Sequence, residues 1–131
     1  MTLLPSAFCP CGSKTPYAQC CMPYHIGTAV APNALALMRS RYTAYALANV
    51  GYLKMTWHPD TLPLQFSLDT EARWLGLKII RHAHSDDDHA SVEFVARYKI
   101  YGRAHRLHEI SRFVRVQGCW FYLDGVVKIP G

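Results

Sequence analysis

Four of the five cysteines of this chain fall within one short segment, Cys9-Pro10-Cys11-Gly12-Ser13-Lys14-Thr15-Pro16-Tyr17-Ala18-Gln19-Cys20-Cys21. Four thiolates supply a closed tetrahedral shell of the kind that holds structural zinc. Because such a shell leaves no position for a reacting water, the site would be structural and not catalytic. Gly12-Ser13 predicts a tight reversal between the two cysteine pairs. The segment is therefore predicted to bind one zinc ion through Cys9, Cys11, Cys20 and Cys21.

The same thiols allow three other interpretations: a disulfide framework, an iron–sulfur cluster, or reduced cysteines without metal. The stretch 1–5 has no basic region, and its apolar run is short for a signal peptide, which favours a cytoplasmic protein whose cysteine clusters bind metal. Adjacent cysteines such as Cys20 and Cys21 also make poor disulfide partners. An iron–sulfur cluster uses the same ligand type, so residue identity alone does not separate it from zinc.

The cysteine spacing resembles the SEC-C motif, a zinc module named after the C-terminus of the bacterial translocation ATPase SecA. Lys14-Thr15 stands where the usual motif has Gly-Lys. If the usual glycine takes a positive φ, Lys14 would adopt that backbone at a modest cost. In SecA the module engages the export chaperone SecB and the ribosome, so the resemblance implies an adaptor in secretion or nascent-chain handling. The candidate contact residues are Lys14, Tyr17, Met22, Pro23 and Tyr24.

Three further segments resemble the YchJ-like family of small bacterial proteins: Met38–Tyr45, Thr56–Pro59 and Leu107–Phe113. The resemblance implies a SEC-C motif joined to a nuclear transport factor 2-like domain, in which a curved sheet wraps around a long helix to form a cone. We therefore expect a zinc-binding appendage over 1–25, a linker over 26–32 and an α+β domain over 33–131. Replacing Cys9 and Cys11 with serine should then unfold the first 25 residues and leave the 33–125 domain folded.

Helical spacing begins after Asn33, a good helix cap, and continues to about Gly51. A second helix is expected from Val50 to about Trp57, since Pro59 disfavours helical geometry at the residue before it. Ser67 is predicted to cap a third helix that runs through Trp74 and stops at Gly76.

From residue 77 the period changes to that of strands, over 77–84, 89–101, 103–116 and 120–123. The alternation in 91–101 gives one apolar and one mostly polar face. This pattern predicts an antiparallel meander with one face in solvent, and hence an α+β fold. The exposed face is a candidate surface for a homodimer.

Four polar residues are candidates for a pocket inside the cone: Arg41, His58, His108 and Arg112. A histidine such as His108 can act as an acid or base near neutral pH, and Arg112 is suited to a carboxylate or phosphate. A buried Arg41 would need a carboxylate partner, for which Glu109 is the candidate. A small-ligand-binding protein or an enzyme is therefore the alternative to an adaptor, although no nucleophile elbow or phosphate loop appears.

Composition narrows the class of protein further. The chain has 131 residues, 50% of them hydrophobic, which suffices for one core. No apolar run reaches the roughly 20 residues that span a bilayer. The formal net charge is +5, but lysine and arginine are spread without a dense run. That spread favours an ordinary solvated surface over a nucleic-acid-binding stripe.

Overall fold

A computed structural model of the protein describes residues 3–129. After the cysteine segment and a 3-10 turn over Tyr17–Gln19 come three helices: α1 (Met22–His25), α2 (Ala34–Ala46) and α3 (Val50–Met55). No helix in this described range is long and apolar enough to cross a bilayer.

The start of α2 is the predicted one, because the Asn33 side chain accepts the backbone N–H of Ala36 at 2.8 Å. The helix ends earlier than predicted, at Ala46, and the chain reverses through Ala48, whose φ is 57°. Asn49 then caps α3 by accepting the N–H of Tyr52 at 3.1 Å. The two helices are therefore separated by a tight turn.

The predicted third helix over 67–74 is wrong. Asp69 instead forms a local turn, in which its carboxylate accepts the N–H of Glu71 at 2.9 Å. The first strand begins at Arg73, and Trp74 packs edge-on against Tyr42 with the ring centroids 5.8 Å apart. Burial of Trp74 against α2 overrides the local helical pattern.

Four strands form one antiparallel sheet in the order β1 (Arg73–Asp86), β2 (His89–Ile100), β3 (Arg103–Val116) and β4 (Cys119–Val127). The last two turns, Tyr101-Gly102 and Gln117-Gly118, have positive φ at both residues. This is the geometry of the hairpin turns that match strand twist. The predicted meander is confirmed, with longer first and last strands than the sequence suggested.

The inner face of the sheet packs against α2. Val92, Phe94 and Ala96 of β2 and Phe113 of β3 are buried there with Leu37 of α2. Bulges in β1 and one between β3 and β4 bend the sheet around the helix. The α+β fold expected from the sequence, with helices on a curved antiparallel sheet, is confirmed.

Candidate metal centre

Residues 4–25, here called the cysteine knuckle, bring four thiols together: those of Cys9, Cys11, Cys20 and Cys21. Their Sγ atoms all lie within 4.8 Å of one another. The Cys11–Cys20 distance is 3.6 Å and the Cys20–Cys21 distance 4.0 Å. Tetrahedral zinc with Zn–S bonds of about 2.3 Å requires sulfurs roughly 3.8 Å apart. The four thiols are free, and the spacing of their sulfur atoms is close to that of a closed tetrahedral metal site.

Local backbone geometry brings the two cysteine pairs to face each other. The N–H of Cys9 donates to the carbonyl of Thr15 at 2.8 Å, and Phe8 pairs with Pro16 across the loop. Gly12 has a φ of 83° and Lys14 a φ of 63°. Lys14 therefore does adopt the left-handed backbone that glycine adopts without a penalty.

The knuckle is fused to the core of the sheet domain. Cys11 and Cys21 are 0% and 1% exposed, and they belong to the same buried cluster as Leu37 and Phe94. The guanidinium of Arg39 in α2 donates to the carbonyl of Cys11 at 2.9 Å. The candidate metal site thus lies in an interface with α2, whereas the sequence suggested an appendage.

His25 makes a second connection between the knuckle and α2. Its Nε2 lies 2.8 Å from the carbonyl oxygen of Ser40, to which it donates, and its Nδ1 accepts from the hydroxyl of Tyr17 at 2.8 Å. Burial lowers the pKa of His25 and so favours the neutral ring. The imidazole is therefore used in packing the knuckle, and both of its nitrogens are occupied.

The electrostatics of the four clustered thiols favour a bound cation. Burial raises the pKa of Cys20 to about 11. The thiols of Cys11 and Cys9, followed by burial, raise the pKa of Cys21, whereas the hydrogen bond from Cys21 lowers that of Cys11. Four thiolates at this separation repel one another in a poorly solvated place. A bound metal cation would offset that cost and displace the thiol protons.

The predicted partner-contact residues differ in their accessibility. Lys14 is exposed, but Tyr17 and Tyr24 are half-buried and pack against the core. Met22 and Pro23 are also half-buried. The sequence reasoning missed Phe8, which precedes the first ligand and is 70% exposed. The sequence did hold a signal for this contact residue, because Phe8 is an aromatic residue next to the candidate ligand Cys9.

The four candidate pocket residues do not converge. His58 lies after α3, and its Nδ1 accepts the N–H of Asp60 at 3.1 Å. His108 and Arg112 lie on the outer face of the sheet, where His108 contacts Glu93 at 2.7 Å and Arg112 pairs with Asp124. The four residues therefore do not line one pocket as the sequence suggested. Of the four, Arg41 alone lies inside the domain, because strand alternation turns His108 and Arg112 to the outer face.

Arg41 borders an interior cavity of about 170 Å³. Its side chain is 3% exposed, and Nη1 donates to the Leu53 carbonyl at 2.9 Å and to the Thr56 hydroxyl at 2.7 Å. The guanidinium carbon lies 5.2 Å from the ring centroid of Trp57 and 4.6 Å from that of Tyr122. Burial lowers the pKa of Arg41. A guanidinium nevertheless stays protonated in proteins.

Glu109, the predicted partner of Arg41, lines the same cavity but forms no ion pair with it within residues 3–129. Its carboxylate accepts from the hydroxyl of Ser111 at 2.5 Å and from that of Tyr122 at 3.5 Å. Gly125 leaves room for this arrangement, since a Cβ there would overlap the Glu109 side chain. The cavity therefore holds both charges, with other partners for each.

Comparison with known proteins identifies two families. The family described as "YchJ, middle NTF2-like domain" matches residues 33–125, and the SEC-C motif matches residues 9–23. A UPF0225 protein of Cupriavidus pinatubonensis is 55% identical over 123 residues, covering 89% of this chain and 86% of its own length. A UPF0225 protein of Ralstonia nicotianae is 53% identical, covering 92% of each chain.

Two solved structures share the fold. The solution structure of a SEC-C motif containing protein from Rhodopseudomonas palustris has a TM-score of 0.83 at 33% identity, covering 94% of this chain and 100% of that one. The crystal structure of a SEC-C motif containing protein from Psychrobacter arcticus has a TM-score of 0.76 at 31% identity, covering 98% and 88%. The sheet with few helices is therefore shared with these two SEC-C motif containing proteins.

Proposed function

The chain belongs to the YchJ-like family, in which a SEC-C motif precedes an NTF2-like domain, and from that premise we propose a zinc-binding adaptor whose cysteine knuckle contacts a protein partner. Zinc is the metal because a buried, closed set of four thiols suits a tetrahedral ion with no open position. No substrate could reach the ion in such a shell, so the metal would act by stabilising the knuckle.

One observation carries the partner-binding role: Phe8 is 70% exposed directly beside the buried ligand Cys9. Leu4 is 69% exposed in the same knuckle, and Lys14 adds a positive charge. A metal-stapled loop presents such side chains with little loss of conformational freedom on binding. Aromatic anchors at the centre of an interface commonly dominate its affinity.

The resemblance to SecA supports two partners, an export chaperone of the SecB type and the ribosome. Either would place the protein in the cytoplasm, in protein secretion or nascent-chain handling. The apolar and basic side chains of the knuckle fit a partner surface that offers apolar contacts with acidic residues at its rim.

The test is binding of the zinc-loaded protein to purified SecB and to purified 70S ribosomes, measured by biolayer interferometry. We expect one of them to bind, and Phe8→Asp to weaken that binding at least tenfold, because the charge opposes burial of the contact. Zinc content is measured on every preparation, so that metal loss and surface loss are separated.

Leu64→Asp is the matched control, since Leu64 is fully exposed in the loop after α3 and the substitution makes the same apolar-to-acidic change. Equal binding by the Phe8 and Leu64 variants, or no binding to either partner, would contradict the adaptor function.

A second candidate function, small-ligand binding, is favoured by the buried charge of Arg41 beside the interior cavity. The cavity of about 170 Å³ is close in size to the apolar cavity of about 150 Å³ that accepts benzene in another protein. Aromatic side chains line it, including Tyr42, Trp74 and Phe94. A fitting ligand has an apolar body, an acceptor for Arg41 and a donor for Glu109.

The test uses 4-hydroxybenzoate as the probe and amide chemical shifts as the readout. We expect shifts confined to cavity-lining residues such as Met38 and Leu107, and a higher unfolding temperature. Ala96→Leu, which fills the cavity from a 1% exposed position, should remove both effects. Ala83→Leu, on the outer face, should leave them in place. If millimolar 4-hydroxybenzoate changed neither the amide chemical shifts nor the unfolding temperature, this second function would be excluded.

A further inference from the structure

Five exposed cations gather at one end of the outer face of the sheet, although they are far apart in sequence. They come from three strands and are here called the basic face: Arg73 and Lys78 of β1, Arg97 and Lys99 of β2, and Arg106 of β3. Strand alternation, together with the bulge between Trp74 and Gly76 in β1, turns all five away from α2. The strand register therefore produces a charge cluster that no local run of the sequence contains.

Within the basic face, like charges stand directly opposite each other. Arg97 pairs with Arg106 across β2 and β3, and Arg73 pairs with Lys99 across β1 and β2. Such cross-strand pairs are destabilising. In the described part of the chain, none of the five cations has a carboxylate within ion-pair distance. An anion that bridges these pairs would convert repulsion into attraction.

The acidic residues of the sheet do not neutralise the basic face. Glu93 lies on the same face, but Arg81 contacts it at 3.1 Å and His108 at 2.7 Å. The acidic turn near Asp86 lies at the opposite end of β2, where Asp86 pairs with His89. Lys99 is about 33 Å from that end at roughly 3.3 Å per residue. That separation is about four Debye lengths, at about 8 Å each in physiological salt.

We propose that the basic face binds the sugar–phosphate backbone of a nucleic-acid duplex. Arginine forks match phosphate oxygens in geometry, and three of the five cations are arginines. The aromatic residues at the same register are on the inner side, where Tyr98 stacks on His105 with the ring centroids 5.1 Å apart. Tyr101, 80% exposed in the turn that follows Lys99, is one ring at the edge of this face and does not make a platform for successive unstacked bases. The binding is accordingly directed at the backbone, without sequence preference.

Duplex binding by the basic face does not depend on the cysteine knuckle, and it is tested with a 24-base-pair RNA duplex and a DNA duplex of the same sequence. Fluorescence anisotropy measures affinity between 50 and 200 mM NaCl. Five phosphate contacts predict a salt slope of about −4.5, which is a roughly 500-fold loss of affinity over that range. Arg97→Gln/Arg106→Gln should reduce affinity at 50 mM NaCl at least tenfold and flatten the slope to about −2.7.

Lys14→Gln/Lys54→Gln is the matched control, because it removes two exposed charges that belong to no strand of the sheet. It should change affinity less than threefold, and Phe8→Asp should likewise leave duplex binding in place. Both duplexes binding equally supports backbone contact, and a preference for RNA supports recognition of A-form geometry. The proposal would be overturned if neither duplex bound at 50 mM NaCl, or if the two double variants lost the same amount of affinity. It would also be overturned if a polyglutamate peptide bound and lost as much affinity as the duplexes do on the Arg97→Gln/Arg106→Gln substitution.

Discussion

Replacing Cys11 with serine is expected to destabilise the entire described domain, and not the first 25 residues alone. Cys11 is fully buried in one cluster with side chains of α2 and β2. Loss of the metal would therefore open the core that the sheet shares with the knuckle. Structural zinc contributes on the order of 10 kcal/mol to the folding of zinc-finger peptides. We expect a loss of about 4 kcal/mol or more in a single cooperative transition, given total stabilities of about 5–15 kcal/mol.

The measurement combines elemental analysis with urea unfolding followed by tryptophan fluorescence and by amide exchange of the sheet. Wild-type protein should carry one zinc per chain and release four reactive thiols on chelation, while Cys11→Ser should lose the metal. Cys119→Ser is the matched control, since Cys119 begins β4 outside the cluster and should leave zinc content and unfolding near wild type. Two separate transitions, with sheet amides protected as in wild type, would show that the knuckle unfolds independently.

Replacing Arg41 with methionine is expected to lower the free energy of unfolding by about 3 kcal/mol, since hydrogen bonds to charged groups contribute about 1.5–3 kcal/mol each. The substitution removes the donor to Leu53 and Thr56 and the cation between two aromatic rings. It also removes the cation that lines the same cavity as the Glu109 carboxylate, so that this negative charge is left uncompensated. Arg41→Lys should recover little, because an ammonium cannot stack and form both bonds as a guanidinium does.

Urea unfolding of a double-mutant cycle measures the contribution of the two charges. Glu109→Gln in the Arg41→Met background should restore at least about 1 kcal/mol, because the uncompensated carboxylate is then gone. Arg106→Met is the control for the same substitution at an exposed site, and its effect should stay within about 0.5 kcal/mol. A midpoint for Arg41→Met equal to that of wild type would show that the cavity charges do not stabilise the fold.

Local chemistry accounts for what sequence reasoning predicted well. The cap at Asn33, the turn at Gln117-Gly118 and the alternation along β2 each depend on a few neighbouring residues. The cysteine set was also predictable, because four ligands within thirteen residues need only one loop to meet. The missing third helix shows the limit, since burial of Trp74 outweighed the local signal around Ser67.

The sequence by itself determined the four cysteines of the candidate metal centre and the α+β order of elements, because short spacing and residue period carry that information. Only the tertiary structure decided that Cys11 shares a core with α2, that Arg41 borders a cavity while His108 and Arg112 face outward, and that scattered cations meet on the basic face. Strand register and helix packing join residues distant in the chain. Their proximity depends on long-range contacts, which no local pattern records.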